Sequence, residues 1–185
     1  MNDQPTLFDP TPDFIINKRF VLGGKAIFTV SNPNGDHYTF LVAGVNFDDD
    51  AEDTPTRYCV KLLTGPDNTS DYTYLGMLDV ETGETYATKA STWKPALTEA
   101  RRLFRQGKRA ESIEYARQHL PRPVQVIRWA LMKIVWPGRS VPYGYGINGE
   151  GRCGRCGRPL TRPEGVDPSG YRFGFGPTCW EKVAA

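Results

Sequence analysis

The stretch Lys25-Ala26-Ile27-Phe28-Thr29-Val30-Ser31-Asn32-Pro33-Asn34-Gly35-Asp36-His37-Tyr38-Thr39-Phe40-Leu41-Val42 decides the fold class. Ala26, Phe28 and Val30 alternate with Lys25, Ile27 and Thr29, and Tyr38, Phe40 and Val42 alternate with His37, Thr39 and Leu41. A period of two puts each apolar triplet on one face of a strand. Between them, Asn32 to Asp36 carries turn residues that accept tight backbone geometry. The pattern recurs at Tyr58, Val60 and Leu62, at Tyr72, Tyr74 and Leu75 to Leu78, and at Tyr86 and Thr88. Asp48-Asp49-Asp50, Gly65-Pro66-Asp67-Asn68 and Glu81-Thr82-Gly83 separate these runs. Strands at this spacing predict an N-terminal antiparallel β-sheet or small barrel over residues 14–90.

The period changes near Trp93. Pro95 suits a first helical turn, and Leu97, Ala100 and Leu103/Phe104 share one face at helical spacing. Gly107 ends this helix. A second is expected over 110–120, with Ile113, Ala116 and Leu120 inward, and a third from Pro123 to Trp136, carrying Val124, Ile127, Leu131 and Ile134. Residues 138–152 read as a Gly- and Tyr-rich connection with a short strand at Val141–Ile147. The expected fold class is α+β, in four segments. These are a flexible tail (1–13), an acidic β domain (14–90), a basic helical segment (91–137) and a cysteine-bearing module (138–185), read below as a knuckle.

The chain has 185 residues, 39% of them hydrophobic and 24% charged, with a mean hydropathy of −0.49. This is globular composition. No apolar run approaches the ~20 residues of a membrane helix, so no membrane partner is expected. Met1-Asn2-Asp3-Gln4-Pro5 has neither a basic nor an apolar leader region, so the expected location is the cytoplasm. In that compartment the four cysteines read as thiols or metal ligands, not disulfides. The net charge of +2 hides a split. Residues 1–90 carry 6 basic and 14 acidic side chains; residues 91–185 carry 17 and 7. The basic half suits nucleic acid, and the acidic half repels it.

Cys153-Gly154-Arg155-Cys156 places two sulfurs on one tight turn, where one ion can hold both. Gly157 lets the backbone fold back toward them. Cys179 follows 23 positions after Cys156 in a second glycine-rich turn, Gly174-Phe175-Gly176-Pro177-Thr178-Cys179. No βαβ pattern surrounds the C-x-x-C, so a thioredoxin-like redox pair is disfavoured. Three thiolates fall one short of the usual structural zinc set. Cys59 lies in an expected strand, and His37 and His119 are the only histidines. The bland alternative is three reduced thiols in a Gly/Arg-rich tail.

These residues resemble a small zinc-binding domain of unknown function common in phage, plasmid and actinobacterial proteins. Its hallmark is G-x-C-x-x-C-G-R-x-L-T-x-P followed by G-x-G-P-x-C. The matching positions are Gly151, Cys153, Cys156, Gly157, Arg158, Leu160, Thr161, Pro163 and the Gly174–Cys179 turn. The resemblance covers about the last 35 residues. It implies structural Zn2+ held by Cys153, Cys156 and Cys179, a zinc-ribbon or knuckle fold, and a mobile-element setting in a bacterial host cell. Where family members often carry a His four residues before the first Cys, this chain has Gly149. The fourth ligand stays open.

Gln4-Pro5-Thr6-Leu7-Phe8-Asp9 resembles the Q-x-x-L-F peptide by which bacterial DNA-metabolism proteins hold the replicative sliding clamp. Gln4 would hydrogen-bond at the pocket rim, and Leu7 and Phe8 would fill it. The alternative is that Leu7 and Phe8 pack onto their own sheet. Residues 101–133 hold nine basic and two acidic side chains, and Arg152, Arg155, Arg158 and Arg162 surround the cysteines. Arg101, Arg105 and Lys108 on one helix face, with Arg155 and Arg158 on the knuckle, are the candidate nucleic-acid contacts. A solvated helix face is the alternative. Tyr38, Phe40, Tyr58, Tyr72 and Tyr74 suit either a stacking platform or a sheet core, and core is favoured. Asp48, Asp49, Asp50, Glu52 and Asp53 lack EF-hand spacing and read as a solvated loop.

No P-loop, G-x-S-x-G, H-E-x-x-H or phosphate-binding G-x-G-x-x-G is present. The expected function is a non-enzymatic accessory protein of phage or mobile-element DNA metabolism, binding nucleic acid, the host sliding clamp, or both. The alternative is a protein-binding inhibitor of a host process, with zinc as a staple.

Overall fold

The computed structural model describes residues 16–46, 55–160, 164–166 and 172–184. Five strands follow one another after a single helical turn, α1 (Lys18–Val21): β1 (Lys25–Ser31), β2 (His37–Gly44), β3 (Tyr58–Leu63), β4 (Tyr72–Leu78) and β5 (Thr85–Tyr86). All neighbours pair antiparallel. A later strand, β6 (Gly146–Gly149), pairs antiparallel with β1 and makes the sheet order β5-β4-β3-β2-β1-β6. Of the two architectures left open above, the structure has the sheet.

The registers follow from the alternation. Phe28 lies opposite Phe40, and Val42 stands between Ala26 and Val60. Ala26, Phe28, Phe40, Val42 and Val60 are fully buried, and the Phe28 and Phe40 ring centres lie 6.2 Å apart. Burial of one such side chain contributes about 1.5–3 kcal/mol. Phe40 and Tyr58 are core, while Tyr38, Tyr72 and Tyr74 are half-buried.

The helices are α2 (Lys94–Arg105), α3 (Arg109–His119) and α4 (Arg122–Trp129), the last continuing as a π-helical turn over Ala130–Val135. Val124, Ile127, Ala130, Leu131 and Val135 are buried. Ile127, Ala130, Leu131 and Val135 cover the apolar face of the sheet, and Val124 joins Trp93, Leu97 and Leu120 in a second cluster where the three helices meet. Glu84, just before β5, receives both Arg101 of α2 at 2.7 Å and Arg128 of α4 at 2.8 Å.

Three expectations need correction. Phe104 and Ile113 are each 59% exposed, because the helices turn Leu97, Ala100 and Leu120 to their buried side and nothing among the described residues covers the opposite flank. The strand expected at Val141–Ile147 lies instead at Gly146–Gly149. Gly144, at φ +81 with a Cβ position 2.9 Å from the Pro33 ring, keeps the preceding residues in a turn. Lys108 does not share a helix face with Arg101 and Arg105. Gly107, at φ +78, turns the chain first, and Lys108 caps the start of α3.

Beyond β6 come β7 (Glu164–Val166) and β8 (Arg172–Phe175), an antiparallel pair, and α5 (Pro177–Ala184). Cys153 and Phe175 belong to the same core cluster as Phe20, Phe28 and Leu131. The segments before Gly44 and after Gly146 therefore share one core. Among the described residues no helix is long and apolar enough to cross a membrane.

Candidate metal centre

The C-x-x-C segment closes a tight turn. Arg152 and Pro159 face each other across a β-bridge. The Cys153 amide donates to the Arg158 carbonyl at 2.9 Å, and the Gly157 amide donates to Cys153 at 2.9 Å. Gly157 adopts φ +73, which brings the chain back under the sulfurs. The turn is held from two sides through Gly154. Its carbonyl accepts from the Lys25 amide of β1 at 2.8 Å, and its own amide donates to Gly174 of β8 at 2.8 Å.

Cys179 arrives from the first turn of α5, which opens at Pro177 directly after β8. Phe175 anchors this return. It is fully buried, 6.0 Å from the Phe20 ring and 6.1 Å from Trp180. Arg19 lies over the Trp180 ring at 5.4 Å. The ligating atoms of Cys153, Cys156 and Cys179 all lie within 4.8 Å of one another. Cys153 is buried, and the other two are half-buried.

Three sulfurs this close can hold one metal ion. Burial pushes the Cys179 thiol up to about 12, and the adjoining Cys153 and Cys156 add to the shift. Like groups disfavour a second and third thiolate beside the first. A dication reverses that preference, since bound thiols are deprotonated outright. Soft thiolates suit Zn2+ and similar ions rather than Mg2+ or Ca2+. Among the described residues, no His, Asp, Glu or fourth Cys joins the group. Cys59 stands opposite Met77 and Ala43 in the sheet, and His119 stacks on Tyr115 with ring centres 3.9 Å apart.

The candidate nucleic-acid contacts are scattered. Arg155 is fully buried and its charge acts on the Tyr58 hydroxyl, whose own pKa burial pushes up to about 12. An interior guanidinium cannot reach a phosphate, so Arg155 leaves the set of expected contacts. Arg101 is bound to Glu84, and Lys108 pairs with Glu111 at 3.1 Å. Arg105 and Arg158 are exposed. Arg109 and Arg122 are exposed as well, and sequence reasoning did not single them out. Among the described residues none of these four has an acidic partner. Gln4, Leu7, Phe8, Arg162 and the Asp48–Asp53 run lie outside the described residues.

No protein-family model, no curated protein and no solved structure significantly matches the chain.

Proposed function

We propose that this chain is a non-enzymatic accessory protein of phage or mobile-element DNA metabolism. It binds nucleic acid through its helical half and uses one zinc ion to fasten its C-terminal turns to the core. The observation that carries the binding reading is the set of exposed arginines Arg105, Arg109, Arg122 and Arg158, which have no acidic partners among the described residues. Charges already neutralised on the protein give little to a phosphate, whereas free guanidinium groups release counterions on contact. The zinc reading draws on the three clustered sulfurs and on the resemblance of Cys153–Pro163 and Gly174–Cys179 to the phage and plasmid zinc domain. A tail peptide with Gln4, Leu7 and Phe8 would add a contact to the host sliding clamp. The test is titration of the full chain with duplex and single-stranded DNA at rising salt. Affinity falling steeply with salt supports the reading, and no binding at low salt overturns it.

A second reading, a protein-binding inhibitor, has one observation in its favour. Phe104 and Ile113 stand exposed on the α2–α3 flank, in an apolar groove rimmed by Arg101 and Arg105. If DNA binding is absent, an acidic protein surface is the better partner for that groove.

A further inference from the structure

A cleft of about 430 Å³ opens between the β1–β2 hairpin, the start of α4 and the turn before β6. Small-ligand sites fall in the range of ~300–1,000 Å³. Three aromatic rings from three elements line it: Tyr38 of β2, Trp129 of α4 and Tyr145 of the turn. Trp129 and Tyr145 stand 5.3 Å apart at 46°, an open angle rather than a closed stack. α4 widens into its π-helical turn directly after Trp129, a local geometry frequent at functional sites.

The polar groups of the cleft are of both kinds. The Gln125 amide nitrogen is consumed, donating to the carbonyls of Arg117 at 3.0 Å and Leu120 at 2.8 Å. Its oxygen has no hydrogen-bond partner among the described residues and keeps acceptor capacity. Asn32 is consumed within the hairpin turn, by Asp36 and by the amides of Asn34 and Asp36. The Asp36 carboxylate takes one of those bonds at 3.0 Å and keeps acceptor capacity. The cleft thus offers acceptors at Gln125 and Asp36 and donors at Ser31, Tyr38, Trp129 and Tyr145, and calls for a flat ligand whose edge carries both. At the rim stands Arg122, exposed and without an acidic partner among the described residues. A cationic ligand would suit three rings and a carboxylate, but Arg122 repels it. An anionic group is what Arg122 receives.

We propose that this cleft takes the base of a nucleotide, a purine above all, with the phosphate on Arg122. A base edge carries donors and acceptors together, and aromatic walls stack any base, the larger purine over the most area. A cleft of about 430 Å³ holds one base and not a stacked duplex, so the base is unpaired. Tyr143, fully exposed beside Pro142 of the cleft wall, is placed to stack the next base of a single strand. Only the choice of a strand rather than a free nucleotide rests on the nucleic-acid reading above.

The full-length, metal-replete protein is titrated with a guanine-containing 12-mer single strand, the matching duplex, GMP, UMP and choline. The single strand is expected to bind at least tenfold more tightly than the duplex, and GMP more tightly than UMP. Tyr145→Ala, at a residue 45% exposed, should weaken the single strand about tenfold, the scale of one stacked base. It should leave duplex affinity unchanged. Arg122→Ala should weaken GMP and the single strand together. GMP binding without strand binding upholds the cleft and removes the strand. Equal single-strand and duplex affinity, untouched by Tyr145→Ala, overturns the cleft while the nucleic-acid reading stands. Choline binding in preference to GMP also overturns it. No binding by any probe overturns both.

Discussion

A Cβ on Gly154 would stand 2.7 Å from the Phe20 ring and 2.9 Å from the Phe20 carbonyl oxygen. The turn that carries Cys153 and Cys156 can therefore sit against α1 only because this residue has no side chain. The approach is mutual, since a Cβ on Gly23 would meet the Gly154 carbonyl oxygen at 2.8 Å and the Phe175 ring at 2.6 Å. Backbone atoms on both sides leave little room to yield. Gly154→Ala is expected to destabilise the fold by about 1–3 kcal/mol, the usual cost of overpacking. Denaturant unfolding measures this, and a midpoint equal to that of the parent would show that the turn is free to move.

The metal prediction concerns stoichiometry and protons. Protein purified without chelator should carry close to one zinc per chain, lost in Cys156→Ser. Because the Cys179 thiol is pushed up to about 12 in the absence of metal, it is protonated at neutral pH. Binding must then expel protons, and affinity must fall as pH falls. Calorimetric titration in buffers of different ionisation heat reads the released protons. A heat independent of buffer would contradict the assignment of the thiols as ligands.

Glu84 links the edge of the sheet to two helices. Burial opposes its charge, but hydrogen bonds and the charges of Arg128 and Arg101 outweigh that and hold its carboxyl below the ordinary value. A folded-state pKa below the unfolded one gives stability that is present above the unfolded value and lost as pH drops through the folded one. Glu84→Gln should cost on the order of 1 kcal/mol near neutral pH, given the exposure of Arg101. Its cost should vanish in acid. A pH-independent cost would point to packing in place of charge.

The arginines should separate by whether an acidic side chain already holds them. Arg105→Ala with Arg109→Ala is expected to lower DNA affinity equally on all sequences and to flatten its salt dependence, because each lost phosphate contact removes released counterions. Arg101→Ala should do less, since its guanidinium is already spent on Glu84. Equal salt slopes for parent and double variant would exclude this face.

A peptide of residues 1–12 is expected to bind a bacterial sliding clamp with micromolar affinity, plausible for so few anchors, on the order of −8 kcal/mol. Leu7→Ala with Phe8→Ala should abolish it. Independent elution of clamp and full chain at high concentration would refute the tail assignment.

The strands were legible because Ala26, Phe28 and Val30 are buried while Lys25, Thr29 and Ser31 are half-buried, so period and burial agree except at Ile27, which is covered on the other face. The first two helices were legible at their ends, where Pro95 and Gly107 act locally. What sequence missed depends on partners far along the chain. Gly146–Gly149 has no alternation of its own and becomes a strand because β1 offers an open edge. Phe104 and Ile113 have helical spacing, but spacing reports a face and not whether anything covers it. Cys153 and Cys156 were legible because their geometry is written in neighbouring residues, and Cys179 because a second glycine-rich turn carries it. Arg155 lies between two of them and was read outward because charge usually seeks water. Its side chain instead follows a turn pressed into the core by Gly154 and Phe20.

The pairing of β1 with β6 has a temporal side. Ser31 faces Gly146 across the ladder, so the ribosome must make all the intervening chain before β1 has its second neighbour. At ~5–20 residues per second that delay is on the order of ten seconds. Throughout it, the strand bearing Phe28 presents a bare row of amides and carbonyls to other nascent chains on the same message. Such an edge is a template for pairing with the wrong partner. A message that stalls ahead of residue 146 would therefore yield a product inclined to aggregate, and prompt delivery of residues 146–179 protects the sheet as much as it brings the three cysteines together.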